Sequence, residues 1–340
     1  MKPHVVILGA GATIAAIPNG DKNGRKSSVM SGLIEKLGLS DLLSGIALQT
    51  KSDNLEDIYS ELYCRPECKT VLEQLEERLY DYFAALELPP SPTVYDYLVL
   101  SLTDRDAIAT FNWDPLLLQA YVRCSFYTNN LPHIFCLHGN VAMGFCPEHR
   151  EFGMTNAICP TCGKLLPPTK LLYPVKEKDY ASDPYIKGCW DATEWLIENA
   201  YMLTIFGYSA PASDKEAVEL LKKAWGRLED RSLEEVSVID IVSEDTILET
   251  WKDFIYSHHY RYSNDFFHSY LGMFPRRTCE TVFAMFQLNV FADNTKGFRE
   301  NMSWDELEEF IYDLTVEEES SPDSQNYPLH YTHKRFIDGN

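Results

Sequence analysis

The chain has 340 residues, 45% of them hydrophobic, and a formal net charge of −21. This length suits one large α/β domain with a smaller appendage. The negative charge argues against direct nucleic-acid binding, which needs clustered Lys and Arg, and no apolar run approaches the ~20 residues of a membrane span. The N-terminal run MKPHVVILGAGA lacks the features of a signal peptide, so we expect a cytoplasmic protein.

The first residues predict the entry into a doubly wound parallel sheet. The apolar run HVVIL at 4–8 precedes a glycine turn and a helix-compatible stretch. From about 29 to 104 the apolar spacing is helical, most clearly over 67–88, so we predict a helical insertion after the first strand and helix.

Later strands are expected at 107–111, 133–137, 202–209 and 236–242, with helices between them. Strands that alternate with helices imply parallel pairing and right-handed crossovers, and therefore a Rossmann-like α/β fold. We predict an amphipathic helical segment at 263–315 and a partly disordered acidic tail at 316–340.

Two cysteine-containing knuckles lie within a module that spans about 144–170. Cys146-x-x-His149 and Cys159-x-x-Cys162 supply four borderline-soft ligands, a set that suits a closed, structural tetrahedral zinc site. The alternative is that His149 is an ordinary surface residue and Cys146 a buried thiol. The other six of the nine cysteines are interpreted as reduced and mostly structural.

Polar or glycine-containing turns follow the predicted strands. Ligands of open parallel sheets bind outside the carboxyl ends of the strands, so these turns form the candidate site. Structural alternatives remain: the glycines can serve tight helix–sheet packing, and Asp114 can cap the helix that starts at Pro115. His138 can be a histidine that hydrogen-bonds to the backbone. The turns are Gly9-Ala10-Gly11, Asn112-Trp113-Asp114, His138-Gly139-Asn140 and Gly207-Tyr208-Ser209, with a fifth strand ending near Ser243.

With these motifs the chain resembles the sirtuin family over about residues 4–245. The resemblance is carried by GAGAT at 9–13, TFNWD at 110–114, LHGN at 137–140, the two knuckles and GYSAP at 207–211. Two departures stand out: the GIPDFR-like stretch of sirtuin deacylases is replaced by AIPNGDKNGR, and the Gln of the TQNID-like motif by Phe111. The altered loop, with GYSAP and Asp214, resembles the bacterial sirtuin-like proteins of antiphage defence, which hydrolyse NAD+.

The resemblance implies cleavage of NAD+ at its nicotinamide–ribose bond through an oxocarbenium-like transition state, giving ADP-ribose and nicotinamide. His138 would act as the base, Asn112 would orient the ribose or water, and Asp114 would accept from the carboxamide. The residues expected to bind the substrate are Gly9, Ala10, Gly11, Ala12, Thr13, Asn112, Asp114, Gly207, Ser209 and Ser243.

Residues 1–262 would form the catalytic domain. An enzyme that destroys NAD+ must be held inactive, so we expect a homo-oligomer or a regulatory partner such as an ATPase, with 263–315 as the candidate surface. Two alternatives stay open. One is an NAD-dependent protein deacylase or ADP-ribosyltransferase; the other is a non-enzymatic sensor of NAD+ or ADP-ribose.

Overall fold

The computed structural model describes residues 2–27, 30, 32–174, 179–211, 214–227, 231, 233–252, 254–255, 260–292 and 297–320. Its strands are β1 His4–Leu8, β2 Ala107–Thr110, β3 His133–Cys136, β4 Met143–Cys146, β5 Glu151–Met154, β6 Met202–Phe206, β7 Glu235–Ile239 and β8 Tyr260–Ser263. Its helices are α1 Ala10–Ala16, α2 Leu33–Lys36, α3 Ser40–Leu43, α4 Leu55–Tyr63, α5 Lys69–Ala84, α6 Val94–Leu100, α7 Leu116–Cys124, α8 Pro184–Asn199, α9 Lys215–Trp225, α10 Glu244–Trp251, α11 Tyr270–Met273, α12 Thr278–Gln287 and α13 Trp304–Ser320, with a 3-10 turn at Pro66–Cys68.

Six of these strands form one parallel sheet in the order β3-β2-β1-β6-β7-β8. Leu8 at the end of β1 lies opposite Thr110 of β2 and Phe206 of β6, so the carboxyl ends of the three strands are level. The order reverses between β1 and β6, which is where doubly wound sheets bind ligands. The predicted Rossmann-like α/β fold is therefore confirmed.

Side-chain alternation along the strands builds a core on each face of the sheet. Val6 and Leu8 belong to the core that also includes α1, the helical insertion, α7 and α13. Val5 and Ile7 point to the opposite core, which α8, α9 and α10 cover. Full burial of each such side chain contributes about 1.5–3 kcal/mol relative to exposure.

The predicted insertion between the first helix and the second strand consists of α2 to α6. Its longest member, α5, buries residues at helical spacing: Leu72, Leu75, Leu79 and Phe83. The next helix, α6, begins with a capping box in which Thr93 and Asp96 bond each other's backbone. This start matters for the site because α6 places Tyr95 beneath the sheet edge.

The chain from residue 260 onward differs from the prediction. Ser263, expected to begin a helical segment, is the last residue of β8, a strand that the sequence did not predict because it is only four residues long. The described residues between α12 and α13 form no helix. Helix α13 continues to Ser320, five residues into the expected tail, because Leu307, Ile311 and Leu314 hold it on the core. The rest of that tail, 321–340, lies outside the described residues.

Within the described part of the chain, no helix has the length and apolar character needed to cross a membrane.

Candidate active site

The turns that the sequence placed together lie on one edge of the sheet. The last residues of β6, β1 and β2 each accept a backbone hydrogen bond from the residue that follows the neighbouring strand. Gly9 N bonds Phe206 O over 3.1 Å, Phe111 N bonds Leu8 O over 3.0 Å, and Leu137 N bonds Thr110 O over 2.9 Å. The first four predicted turns are therefore adjacent at the carboxyl edge.

Glycines interlock where the strand order reverses. A Cβ on Gly9 would lie 2.6 Å from Gly207 O, and one on Gly207 would lie 2.3 Å from Ala12 N. Gly207 also has a positive φ of +59°. Gly11 N donates to Gly207 O over 2.8 Å, and Ala12 N donates to Gly9 O over 3.0 Å. Tight packing alone thus accounts for these glycines, and several of their amides are already bonded within the protein.

A buried polar cluster lies below this edge. Thr13 donates its hydroxyl to Asp114 Oδ2 over 2.7 Å and also lies 2.7 Å from the Tyr95 hydroxyl. Asn112 Nδ2 donates to Gly9 O at 2.8 Å and to Thr13 Oγ1 at 3.0 Å. Burial raises the pKa of Tyr95 well above its usual value, so its phenol stays protonated and can donate to Thr13. The cluster therefore fixes Asn112 and Asp114 relative to β1.

Asp114 serves the helix that follows it. Its Oδ1 accepts from Leu116 N over 3.1 Å, which satisfies a free amide at the start of α7. Burial is the main cause that raises the pKa of Asp114, and the Thr13 hydrogen bond opposes it. Asp114 thus caps the helix through its side chain, although Pro115, and not Asp114 as predicted, is the N-cap residue. A carboxylate has about four lone-pair sites, so capping leaves room for a substrate donor.

Asn140, quoted in the LHGN motif but given no role, connects two of the turns. Its Nδ2 donates to Asp114 O over 2.6 Å, and its Oδ1 accepts from Ala142 N over 2.9 Å. The side chain is 1% exposed. Asn140 therefore holds the turn after β3 against the turn after β2.

His138 lies in an aromatic enclosure and is only 4% exposed. Its ring centroid is 4.8 Å from that of Phe111, edge to face, and 5.9 Å from that of Tyr180, which stacks on it. Phe111 in turn stacks on Tyr208 at 4.3 Å. Phe111, the departure from the family motif, thus forms one wall of the space around the predicted base.

A carboxylate faces His138 inside this enclosure. Asp214 Oδ1 is 3.9 Å from His138 Nε2, and Asp214 Oδ2 accepts from the Tyr208 hydroxyl over 3.0 Å. Burial is the largest cause that raises the pKa of Tyr208 well above its usual value, so Tyr208 remains a donor. Asp214 is 5% exposed and lies at the start of α9.

Two predicted binding residues lie at the protein surface. Ser209 is exposed at the turn after β6. Ser243 is also exposed, because β7 ends at Ile239 and not at 242 as predicted. Its hydroxyl accepts from Thr246 N at 3.4 Å and caps α10.

The altered loop at 17–25 makes hydrogen bonds within itself and to the helical insertion. Asp21 Oδ1 accepts from Asn23 N over 2.9 Å and from Arg25 N over 2.7 Å. Lys22 N donates to Glu87 O over 2.9 Å. These contacts hold the loop against the segment that follows α5.

The four predicted zinc ligands form one cluster whose ligand atoms all lie within 4.8 Å of one another. Cys146 Sγ is 3.5 Å from His149 Nδ1 and 4.0 Å from Cys162 Sγ, while Cys159 Sγ is 3.9 Å from His149 Nδ1. Zn–S and Zn–N bonds of about 2.3 and 2.0 Å in a tetrahedron give ligand separations of about 3.5–3.8 Å. A hydrogen bond from the Cys162 backbone is the main cause that lowers the pKa of Cys159, which favours a thiolate. The residues fit zinc.

This metal module is tied to the turn that carries His138. Thr169 Oγ1 donates to Asn140 O over 3.0 Å, and Leu172 N donates to His138 O over 2.9 Å. A Cβ on Gly139, whose φ is +77°, would lie 2.0 Å from Lys170 O. The segment that returns from the module is therefore packed directly on this turn.

The contacts between the described residues join His138 to Asp214 and Phe111, and join Asn112 and Asp114 to Thr13. Sequence reasoning missed Tyr95, Tyr180, Tyr208, Asn140 and Asp214 as site residues. Three of them stood in quoted motifs, which is the signal that could have found them. Tyr95 comes from α6 and Tyr180 from the segment before α8, and neither carries a motif.

The fold and the site define a doubly wound parallel-sheet protein with a polar strand-edge site and a structural metal module. No family model and no curated protein matches the chain. Solved structures that match include sirtuin (Sir2) proteins. A Sir2 complex with a p53 peptide and NAD+ is 14% identical, with a TM-score of 0.36 over 84% of this chain and 93% of that one. A Sir2 homologue in complex with ADP-ribose is 16% identical, with a TM-score of 0.33 over 71% and 81%. Scores this low do not identify a family, and the fold stands on its own strand order.

Proposed function

We propose that the protein hydrolyses NAD+ at the nicotinamide–ribose bond and releases ADP-ribose and nicotinamide. The observation that carries this proposal is the enclosure of His138 by Phe111 and Tyr180 beside the strand-edge cluster. A base that is 4% exposed can be reached by water far more easily than by an extended peptide. Water is therefore the acceptor we assign, in preference to an acylated lysine.

The roles of the residues follow from their contacts. Nicotinamide is cationic in NAD+ and leaves as a neutral molecule, so no general acid is needed. Both Nδ2 hydrogens of Asn112 are used within the protein, and we assign its side-chain oxygen to the ribose or the attacking water. Asp114 accepts from the carboxamide, and His138 takes the proton of the water, a base contribution of about 10²–10⁴-fold. Gly9, Gly207 and Ser209 are assigned to the ADP half.

The same enclosure supports regulation. Tyr180 stacks on His138 and also contacts Trp190 at 4.9 Å, so its ring covers one face of the imidazole. In our proposal this ring closes the site to substrate. An enzyme closed in this way is inactive until something opens it. We propose that a homo-oligomer or a partner such as an ATPase opens the enclosure, and that the protein acts as an effector of antiphage defence.

An NAD+ consumption assay on the zinc-loaded chain of 340 residues tests the proposal, with and without candidate partners. We expect equal amounts of ADP-ribose and nicotinamide, lost in His138→Ala and retained in His133→Gln, which changes an exposed histidine. Acetylated ADP-ribose formed from an acetyl-lysine peptide would identify a deacylase instead. ADP-ribose attached to protein would identify a transferase, and binding without nicotinamide release a sensor.

The proposed defence role needs a cellular measurement. Cells that express the wild-type chain should lose NAD+ after phage infection, and cells that express His138→Ala should keep it. Unchanged NAD+ in infected wild-type cells, with equal protein levels, would contradict the defence role and leave the enzymatic proposal standing.

A further inference from the structure

Four side chains, one of them the predicted base, form a closed circuit of contacts. His138 Nε2 is 3.9 Å from Asp214 Oδ1, and Asp214 Oδ2 accepts from Tyr208. Tyr208 stacks on Phe111, and the edge of Phe111 meets His138. All four are at least nine-tenths buried, so their positions are mutually determined. Such a circuit constrains the imidazole far more than a single contact would.

We propose that Asp214 is a positioning residue that keeps the proton of neutral His138 on Nε2 and leaves Nδ1 as the atom that accepts a proton. This inference rests on the proposed function, in which His138 is the base.

The electrostatic argument concerns the two ring nitrogens. Nε2 is the ring nitrogen that lies 3.9 Å from Asp214 Oδ1, so the carboxylate repels a lone pair on Nε2 and attracts the hydrogen of an Nε2–H. A neutral imidazole carries one N–H, and its other nitrogen is then an acceptor. A neighbouring carboxylate is a common means of fixing this choice. The separation of 3.9 Å is longer than a hydrogen bond, as is frequent before substrate binds.

Turnover balances with this assignment. Nδ1 takes a proton from water as the oxygen bonds to the ribose carbon and the bond to nicotinamide breaks. The imidazolium formed is stabilised by Asp214, and its Nδ1 proton then returns to solvent. Tyr208 keeps its proton throughout and holds the second carboxylate oxygen in place.

The Asp214→Asn variant gives a sharp test. Because Tyr208 donates to Oδ2, the side-chain oxygen of Asn is expected to take that position, and the amide nitrogen then faces Nε2. A donor in that place reverses the preference and moves the imidazole proton to Nδ1.

The protonated nitrogen is read from ring ¹⁵N shifts of the full chain labelled at its nine histidines, at neutral pH with zinc bound. His138→Ala identifies the resonances. We expect an Nε2–H form in the wild type and an Nδ1–H form in Asp214→Asn. The same tautomer in both proteins would overturn the inference, whatever the enzyme does with NAD+.

Kinetics supply the second readout. Asp214→Asn should lower kcat by about 10²–10⁴-fold while the Kd for ADP-ribose changes less than about threefold. Adding Asp214→Asn to His138→Ala should cause no further loss, because the two residues act as a unit. The control is Asp191→Asn, which alters an exposed carboxylate of α8 paired with Lys187 and should retain full turnover.

If Asp214→Asn does not fold, Tyr208→Phe replaces it. This change keeps the aromatic ring that stacks on Phe111 and removes only the hydroxyl that holds Asp214. We expect a mixture of tautomers and a smaller loss of kcat, about 10-fold. An unchanged spectrum with unchanged turnover would contradict the inference. Absence of NAD+ hydrolysis by the wild type would refute only the proposed function.

Discussion

Thr13 and Asp114, 101 residues apart in the chain, are joined by a hydrogen bond of 2.7 Å. The bond connects α1, which follows the first strand, to the turn after the second strand. It also opposes the effect of burial on the Asp114 carboxyl group. One hydroxyl therefore controls both the geometry and the ionisation of a predicted substrate-binding residue.

Replacing Thr13 by Val removes this hydroxyl and nearly preserves the shape. The pKa of Asp114, already raised by burial, should rise further because the Thr13 bond lowers it. Activity that needs the Asp114 carboxylate should then be lost at a higher pH as the solution is acidified. The loss in unfolding free energy should be about 1–3 kcal/mol, the cost of an unsatisfied buried group. Thr13→Ser is the control and should retain both properties.

Gly139 is the position where a side chain is least tolerable. Gly139→Ala combines a positive φ with a clash against Lys170 O, and Gly38→Ala combines a similar φ with open space. We expect a loss of ~1–2 kcal/mol for Gly38→Ala from the left-handed backbone. Overpacking should add ~1–3 kcal/mol for Gly139→Ala. Urea unfolding measures the free energy of unfolding of both variants. Equal losses in the two variants would show that the backbone around Gly139 moves to relieve the clash at no cost.

The metal module should control the site from a distance. The purified chain should hold about one zinc ion, and Cys159→Ser should lower both zinc content and NAD+ turnover, because the module is bonded to the turn that carries His138. Cys64→Ser changes an exposed cysteine outside the cluster and should leave both unchanged. Full turnover in a zinc-free Cys159→Ser protein would show that the turn that carries His138 keeps its conformation without the metal.

His4 makes stability depend on pH. Burial lowers the pKa of His4 from 6.5 to about 4, so the unfolded chain takes up a proton that the folded chain resists. Its contribution is complete above pH 6.5 and is lost as the pH falls toward 4, by about 3 kcal/mol in all. His4→Gln should flatten the profile in this window, and His133→Gln, at an exposed position, should not.

The strand edges could be predicted because each buried strand is followed at once by a polar turn. Gly9, Asn112, His138 and Gly207 meet for that reason, and the metal ligands were recognisable from their spacing. Strand β7 was predicted too long because the apolar run at 236–242 continues beyond the hydrogen-bonded strand, which ends at Ile239.

The residues that complete the site could not be predicted, because their contacts are long-range. Tyr95 is brought in by a helix of the insertion, and Tyr180 reaches His138 from the segment before α8. Strand β8 is four residues long, too short for its alternation to stand out in an aromatic-rich stretch. Each depends on tertiary packing that no local pattern encodes.

The chain leaves the site at Asn140 and returns at Thr169, two residues joined by a 3.0 Å hydrogen bond. The whole metal module is thus an excursion that starts and finishes at nearly one point. A short turn that preserves the Asn140–Thr169 and His138–Leu172 hydrogen bonds could therefore replace the module. We expect such a variant to fold without zinc, because it lacks all four metal ligands.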